Sequence, residues 1–369
     1  MPRIEADKSF LMALANECIL HGMGSVTIGS SLLSMDLLRV DLQDWRLGLI
    51  PTQRSMDDRI TDLRLNLGDK GLERDLPDYY DLRDALRSSL VVWPDNLDEL
   101  LSEISEVERR RSDPYRFPQQ KLLAIDTNIA YNRLLSRLTL LMGGPVESFN
   151  PATIPVVIPS MVEEEISTVV GRKYSGWEVN QLKGATGTSS AEHMINCLHK
   201  SGRRALNAQT ELKLIRELYS SRELRGGEFA EDKEERDERM IQVISDHASR
   251  QRCEVLFVTS DDKARAHAYS NRLPSICLEY PHETGGRFDM DPWIFPELLY
   301  DLALSFGELY VKGMGVKVLG AWPGKSADDY MMERLHLDLE KGSRLSSDLL
   351  TDHEVLESLS GIENIGQPY

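Results

Sequence analysis

Short apolar segments alternate with helix-periodic segments through the middle of the chain. The segments "LLAI", "TIPVVIP", "EVLFV" and "SICLEY" are short and mostly apolar. The stretches between them carry apolar residues at spacings of three and four, as amphipathic helices do. This alternation predicts a parallel sheet covered by helices. We therefore expect an α/β domain over residues 121–284.

The two flanking parts follow other patterns. Residues 1–113 contain helix-period segments such as "SFLMALANECILHG" and "NLDELLSEISEVERRR", which predict a mainly helical accessory domain. The proline-containing stretch "RSDPYRFP" at residues 111–118 is a candidate linker. Residues 285–369 combine two predicted helices with a strand at "VKVLG". We expect this last part to form a C-terminal α+β extension.

Composition excludes several classes of protein. The chain is 41% hydrophobic and 28% charged, which is typical of a globular protein. No apolar run approaches the roughly 18 to 20 residues of a membrane span, and residues 1–10 lack the layout of a signal peptide. We therefore expect a cytoplasmic protein that does not enter a membrane. The four cysteines form no CxxC pair, which argues against a disulfide framework or a cysteine-based zinc site.

The charge is unevenly distributed. The formal net charge of the chain is -17, so binding to a polyanion would require a local basic patch. Residues 171–225 form a predicted insertion in the α/β domain, with ten Lys and Arg against five Glu, a net charge of +5. Two interpretations stay open for this insertion: a solvated helical excursion and a local patch that binds nucleic acid.

Four acidic residues stand where elements of the α/β domain begin or end. Asp126 follows the first apolar strand and Asp261 follows "VLFVTS", so both are expected at the carboxyl edge of the sheet. Glu165 and Asp237 lie early in predicted helices. Carboxylates packed together resist ionisation unless a cation is present. Mg²⁺ or Mn²⁺, which takes oxygen ligands, would remove the conflict.

Simpler roles for these acids stay open. Asp126 could cap a helix that begins near Ile129, and Asp261 could cap the following helix in the same way. Glu163, Glu164 and Glu238 are most simply solvent-facing, yet each lies beside a candidate ligand. The sequence does not decide which of Glu163, Glu164 and Glu165, or which of Asp237 and Glu238, would bind a cation.

The series "LLAIDTN", "IPSMVEEEI", "DERMI" and "VTSDDKARAHA" resembles the PIN-domain ribonuclease family over residues 121–280. The resemblance implies a PIN-like three-layer α/β/α domain with a central parallel sheet. It implies that the metal-binding and catalytic residues are Asp126, Glu165, Asp237 and Asp261. It further implies that Asn128 and Thr259 hydrogen-bond to these acids and orient them.

The function implied by the resemblance is that of an endoribonuclease dependent on Mg²⁺ or Mn²⁺, which hydrolyses RNA phosphodiester bonds. The alternative is a catalytically silent PIN scaffold that binds RNA or protein partners. We also consider a protein partner bound through residues 1–113, and a homodimer. Because RNA must be held beside acidic groups, the candidate RNA-binding residues are the basic ones of the insertion and of the segment after Asp261: Lys200, Arg203, Arg204, Lys263 and Arg265. The RNA substrate and the discrimination of RNA from DNA are not defined by the sequence.

Overall fold

The computed structural model describes residues 2–113, 115–117, 119–142, 150–226, 230, 232–281 and 286–363. The chain divides into two compact units, each built from separate stretches of sequence. One unit, here called the antiparallel unit, comprises Met1–Val91, Gly171–Arg204 and Thr284–Tyr369. The other, here called the parallel unit, comprises Val92–Val170 and Ala205–Glu283.

The strands, in chain order, are β1 (Arg3–Asp7), β2 (Ser25–Ser30), β3 (Met35–Asp41), β4 (Arg46–Leu49), β5 (Lys121–Ile125), β6 (Pro155–Pro159), β7 (Ser220–Leu224), β8 (Glu254–Thr259), β9 (Ser275–Cys277), β10 (Arg287–Asp289), β11 (Glu308–Lys312), β12 (Val316–Leu319) and β13 (Arg334–Leu339). The α-helices are α1 (Leu11–Leu20), α2 (Gln53–Leu65), α3 (Lys70–Asp75), α4 (Tyr79–Ser88), α5 (Leu97–Ser112), α6 (Thr127–Tyr131), α7 (Leu134–Met142), α8 (Ser160–Val169), α9 (Gly176–Thr186), α10 (Lys200–Leu218), α11 (Lys233–Gln251), α12 (Asp262–Ser270), α13 (Ile294–Phe306), α14 (Ala327–Met331) and α15 (Arg344–Glu363).

The parallel unit contains a five-stranded sheet in the order β7-β6-β5-β8-β9. Its strands pair in parallel, with Ala124 of β5 opposite Val157 of β6 and Phe257 of β8. Every residue of β5 is buried, because a central parallel strand is covered on both faces. The predicted α/β fold with a central parallel sheet is confirmed.

The first helices after β5 and β8 begin directly at the carboxyl edge of this sheet. Asp126 is the N-cap of α6, and Asp261 is the N-cap of α12. The chain also passes from β6 into α8 without a loop, since Pro159 ends the strand and Ser160 opens the helix. Short connections of this kind place the residues that follow β5, β6 and β8 at one edge of the sheet.

The antiparallel unit is built on an eight-stranded sheet in the order β1-β13-β12-β11-β2-β3-β4-β10. Strands from both ends of the chain are neighbours in it, because β1 pairs with β13 and β2 pairs with β11. Helix α13 belongs to the same unit and is buried along its whole length. An apolar helix buried on all sides forms the centre of a core rather than one face of it.

This arrangement differs from the three consecutive domains predicted from the sequence. Residues 1–113 and 285–369 do not form a separate helical domain and a separate extension, because their strands share one sheet. Strands β1 to β4 were missed because each is only four to seven residues long and carries polar residues that weaken a strand pattern. Two predicted helices also end early: Gly307, with a φ of 79°, terminates α13 before β11, and β13 follows α14.

The boundaries of the predicted α/β domain shift as well. Helix α5, expected in the N-terminal domain, belongs to the parallel unit, where Arg110 pairs with Glu254 at 2.9 Å. The basic insertion at residues 171–225 is divided: its first part lies in the antiparallel unit, and its last strand, β7, pairs with β6. None of the described helices is both long and apolar enough to cross a membrane.

Candidate active site

Asp126 lies at the end of β5 with its side chain almost completely buried. Oδ1 of Asp126 accepts a hydrogen bond from the backbone N–H of Thr127 at 2.6 Å. Oδ2 accepts two more, from Nδ2 of Asn128 at 3.0 Å and from the hydroxyl of Thr259 at 2.7 Å. These three donors fix the carboxylate in one orientation. Asn128 and Thr259 therefore lie where the resemblance expects orienting residues.

Asp261 lies at the end of β8, the strand next to β5. Its Oδ1 accepts a hydrogen bond from the backbone N–H of Lys263 at 2.9 Å, which caps α12. Its Oδ2 accepts one from Nζ of Lys233, also at 2.9 Å. Asp126 and Asp261 thus do cap helices, as the simpler interpretation expected. In each carboxylate one oxygen makes the capping bond and the other bonds to side chains.

The structure distinguishes Glu165 from the two glutamates before it. Oε2 of Glu165 accepts a hydrogen bond from the hydroxyl of Thr127 at 2.7 Å, directly beside Asp126. Oε1 of Glu165 lies 3.5 Å from the guanidinium of Arg236. Glu163 instead pairs with Arg216 at 2.6 Å, and Glu164 is exposed. Glu165 is the member of the trio that joins the site.

Asp237 is similarly distinguished from Glu238. Asp237 is 7% exposed on the first turns of α11, whereas Glu238 points to solvent. Burial, and then the negative charges of Asp126, Glu165 and Asp261, raise the pKa of Asp237 to about 6, against the opposing effect of Lys233. Asp237 therefore interacts electrostatically with each of the other three acids. We call Asp126, Glu165, Asp237 and Asp261 the acid centre.

The surroundings of Asp126 and Asp261 shift the pKa values of these two acids in opposite directions. Burial raises the pKa of Asp126, the charge of Glu165 adds to this effect, and the three hydrogen bonds oppose it. Burial would also raise the pKa of Asp261, but the hydrogen bonds from Lys233 and the backbone of Lys263 outweigh it and lower that pKa. Of the two acids that follow strands, Asp126 and Asp261, Asp261 is therefore the more readily ionised.

The donor set of the acid centre fits a hard divalent cation. All four side chains offer carboxylate oxygens, which Mg²⁺ and Mn²⁺ prefer. A cation would relieve the repulsion that, after burial, raises the pKa of Asp237. Within the described part of the chain, no three of these carboxylates bring oxygens within 4.8 Å of one another. Lys233 and Arg236 supply positive charge to the centre.

A second group of possible metal ligands lies in the antiparallel unit. Glu17, His21 and Asp348 each offer one ligand atom within 4.8 Å of the other two. Nε2 of His21 lies 2.9 Å from Asp348 and 3.6 Å from Glu17, so a hydrogen bond between His21 and Asp348 accounts for this group. None of its members belongs to the acid centre.

Two of the predicted RNA-binding residues, Lys200 and Arg203, have structural roles instead. Arg203 is 1% exposed and donates hydrogen bonds to the carbonyl oxygens of Leu304 and Leu198. Nζ of Lys200 is buried against Asp81 at 2.6 Å, and Arg204 pairs with Asp81 at 3.1 Å. Lys200 and Arg203 are buried, so the expectation that these two side chains grip RNA is corrected. The side chain of Arg204 is 30% exposed, and its role in RNA binding stays a prediction.

Lys263 and Arg265 lie at the surface, on the first turns of α12. Nζ of Lys263 pairs with Glu234 at 2.8 Å, and Arg265 pairs with Asp262 at 2.8 Å. Both side chains are about half exposed or more. These two residues follow Asp261 in the sequence and are accessible to a ligand.

Three side chains at the acid centre were not predicted from the sequence: Thr127, Lys233 and Arg236. Lys233 could have been predicted to lie beside Asp237, because residues four apart share a face of a helix. The run "DKEERDER" hid this proximity, since its alternating charges are typical of a solvated helix.

A family model described as PIN domain matches residues 123–279, so this part of the chain is similar to PIN domains. Among solved structures, the chain is similar to a domain of a functionally unknown protein from Methanocaldococcus jannaschii. The match has 16% sequence identity and a TM-score of 0.28, and covers 45% of this chain and 95% of that one. No curated protein matches the chain.

Proposed function

We propose that the PIN domain of this protein is an endoribonuclease that uses Mg²⁺ or Mn²⁺ to hydrolyse RNA phosphodiester bonds. PIN domains are commonly nucleases, and residues 123–279 match the model of this family. The observation that carries the proposal is the electrostatic coupling of the acid centre, in which three neighbouring carboxylates help to raise the pKa of Asp237 to about 6. Such coupling is typical of functional sites rather than of solvated surface acids.

Each residue of the acid centre has a role in the proposed reaction. Asp126 and Asp261 would hold the divalent cation, and Glu165 and Asp237 would complete its coordination or accept the proton of the attacking water. When bound, that cation would lower the pKa of a water molecule and neutralise charge on the scissile phosphate. Asp126 is the most rigid of the four, because Thr127, Asn128 and Thr259 fix it.

Asp237 is suited to accept the proton of the attacking water. A general base works best when its pKa lies near the working pH, and the pKa of Asp237 is raised to about 6. In the metal-free protein this carboxylate is therefore mostly ionised at neutral pH and able to accept a proton. No covalent bond between protein and RNA is required by this scheme.

Exposed cations beside the acid centre would hold the RNA backbone. Lys263 and Arg265 lie within about one helical turn of Asp261 and are solvent-accessible. A chain of net charge -17 repels RNA at long range, so local contacts with phosphates would have to provide the attraction.

A catalytically silent PIN scaffold is the second candidate, and two observations favour it. Lys233 already pairs with Asp261, and no three of the four carboxylates bring oxygens within 4.8 Å in the described residues. A protein of this kind would bind RNA or a protein partner without cutting RNA.

One assay separates the two candidates. A mixed pool of single-stranded and structured RNA is incubated with the full-length chain in Mn²⁺, in Mg²⁺ and in EDTA. The nuclease proposal expects cleavage with metal only, and loss of cleavage in Asp126→Asn but not in the matched surface variant Asp246→Asn. RNA binding without cleavage in any metal would favour the silent scaffold.

A further inference from the structure

The first turns of α11 deliver two cations and one acid to the acid centre. Lys233 and Asp237 are four residues apart and share a face of this helix. Nζ of Lys233 lies 2.9 Å from Oδ2 of Asp261, and the guanidinium of Arg236 lies 3.5 Å from Glu165. A helix that supplies a metal ligand therefore also supplies the charge that would compete with the metal.

The bonding of Asp261 shows where the competition arises. Its Oδ1 is held by the backbone N–H of Lys263, and its Oδ2 by the ammonium group of Lys233. A divalent cation that binds Asp261 would meet an ammonium group on the same carboxylate. Two positive charges on one carboxylate repel each other, so one weakens the binding of the other.

We propose that Lys233 is an internal counter-ion that competes with the divalent cation for Asp261 and so sets the metal affinity of the acid centre. This inference rests on the proposed function. In the metal-free protein, Lys233 neutralises part of the repulsion among the carboxylates. When the cation binds, it takes over that role and the ammonium group is displaced from Asp261.

The side chain of Lys233 can make this exchange without disturbing the core. It is 59% exposed, whereas the carboxylate side of the pair, Asp261, is 20% exposed. The ammonium group therefore has water to move into when it leaves Asp261. Lys263 provides a matched comparison, because it is also exposed and also near Asp261 in sequence, but its ammonium pairs with Glu234.

The test is a titration of the full-length chain with Mn²⁺, in which free Mn²⁺ is followed by electron paramagnetic resonance. Wild type is compared with Lys233→Gln, Lys233→Arg and the matched control Lys263→Gln. We expect Lys233→Gln to bind Mn²⁺ about two- to fivefold more tightly, the range for loss of one exposed ion pair. Lys233→Arg keeps the charge and should retain the wild-type affinity. Lys263→Gln removes a charge that acts on Asp261 without a direct ion pair, so it should gain less affinity than Lys233→Gln.

Unchanged or weaker Mn²⁺ binding in Lys233→Gln would overturn the inference. An equal gain in Lys263→Gln would also overturn it, because the effect would then be one of general charge. Asp126→Asn separates these results from a failure of the proposed function. If the wild type binds Mn²⁺, Asp126→Asn does not, and Lys233→Gln binds it with unchanged affinity, the inference about Lys233 is wrong but the proposed function stands. If the wild type does not bind Mn²⁺, both are wrong.

Discussion

Thr259 donates its hydroxyl hydrogen to Oδ2 of Asp126 across 2.7 Å, joining the ends of two adjacent strands. Thr259 is the last residue of β8, and Asp126 directly follows β5, which pairs with β8 in parallel. The same hydroxyl accepts the backbone N–H of Asp261 at 3.0 Å. One buried threonine therefore holds two acids of the acid centre in a fixed relation.

Replacing this hydroxyl tests its importance. Thr259→Val keeps the shape of the side chain but removes a donor from the buried carboxylate of Asp126, so we expect a loss of about 1–3 kcal/mol in the free energy of unfolding. Urea unfolding measures it. Thr168→Val removes an exposed hydroxyl that donates to the carbonyl oxygen of Glu165, and should change stability by less than about 0.5 kcal/mol. Equal losses in the two variants would contradict the role given to Thr259.

The raised pKa of Asp237 predicts a specific dependence of stability on pH. Its pKa is about 6 in the folded protein, against an ordinary value of 3.8, so the folded state holds this proton more tightly. The contribution of Asp237 to stability is full below about pH 4 and is lost as the pH rises through about 6. Asp237→Asn does not ionise and escapes this loss.

We therefore expect Asp237→Asn to gain stability relative to the wild type between about pH 4 and about pH 6, with a constant difference above that range. Urea unfolding in EDTA at several pH values measures the difference. Glu238→Gln, at the exposed neighbouring position, is the control and should run parallel to the wild type. A flat difference for Asp237→Asn would show that the pKa of Asp237 is not raised in the folded protein.

Arg203 should matter for folding and not for RNA. Its guanidinium is buried and donates to the carbonyl oxygens of Leu198, Leu304 and Ser305. Arg203→Ala leaves these acceptors without a partner, which should cost about 3 kcal/mol or more in the free energy of unfolding. Arg265→Ala, at an exposed position, should cost less than about 0.5 kcal/mol.

Urea unfolding and RNA affinity are measured for both Arg203→Ala and Arg265→Ala. If Arg203→Ala does not fold, Arg203→Lys keeps the charge but cannot reach all three carbonyl oxygens, and it should show a smaller loss of the same kind. Normal stability combined with weakened RNA binding in either variant would restore the original expectation from the sequence.

Lys263 and Arg265 should account for part of the RNA affinity. In the double variant Lys263→Gln/Arg265→Gln, the slope of log affinity against log salt should fall by about 2, roughly one for each phosphate that is no longer neutralised. Fluorescence anisotropy with single-stranded RNA in EDTA measures it without cleavage. Arg250→Gln/Arg252→Gln removes two exposed charges at the other end of α11 and should leave the slope unchanged. Equal slopes for wild type and the first variant would exclude α12 from the RNA site.

The sequence predicted the parallel sheet and its strand-end acids because both have strong local signals. A buried parallel strand has a sequence of consecutive apolar residues. Asp126 is the first residue after such a run and Asp261 is within three residues of one. The choice of Glu165 over Glu163 could not be made, because it depends on which side chain reaches Thr127 and which reaches Arg216. Such contacts join distant parts of the chain.

The antiparallel unit was missed for a related reason. Its sheet joins β1 to β13 and β2 to β11, and pairing between the two ends of a chain leaves no local signal. Arg203 was misassigned because charge alone does not reveal burial: the acceptors that accommodate it are backbone carbonyls, which every sequence contains. Basic residues in an insertion were read as surface, where such residues usually lie.

The central claim is that the acid centre binds a divalent cation, and anomalous diffraction from crystals soaked in Mn²⁺ tests it most directly. We predict an anomalous peak within bonding distance of carboxylate oxygens of Asp126 and Asp261, with Lys233 displaced from Asp261. No peak at the acid centre, with the Lys233–Asp261 pair intact, would contradict the claim. A peak only beside His21 in the antiparallel unit would contradict it equally.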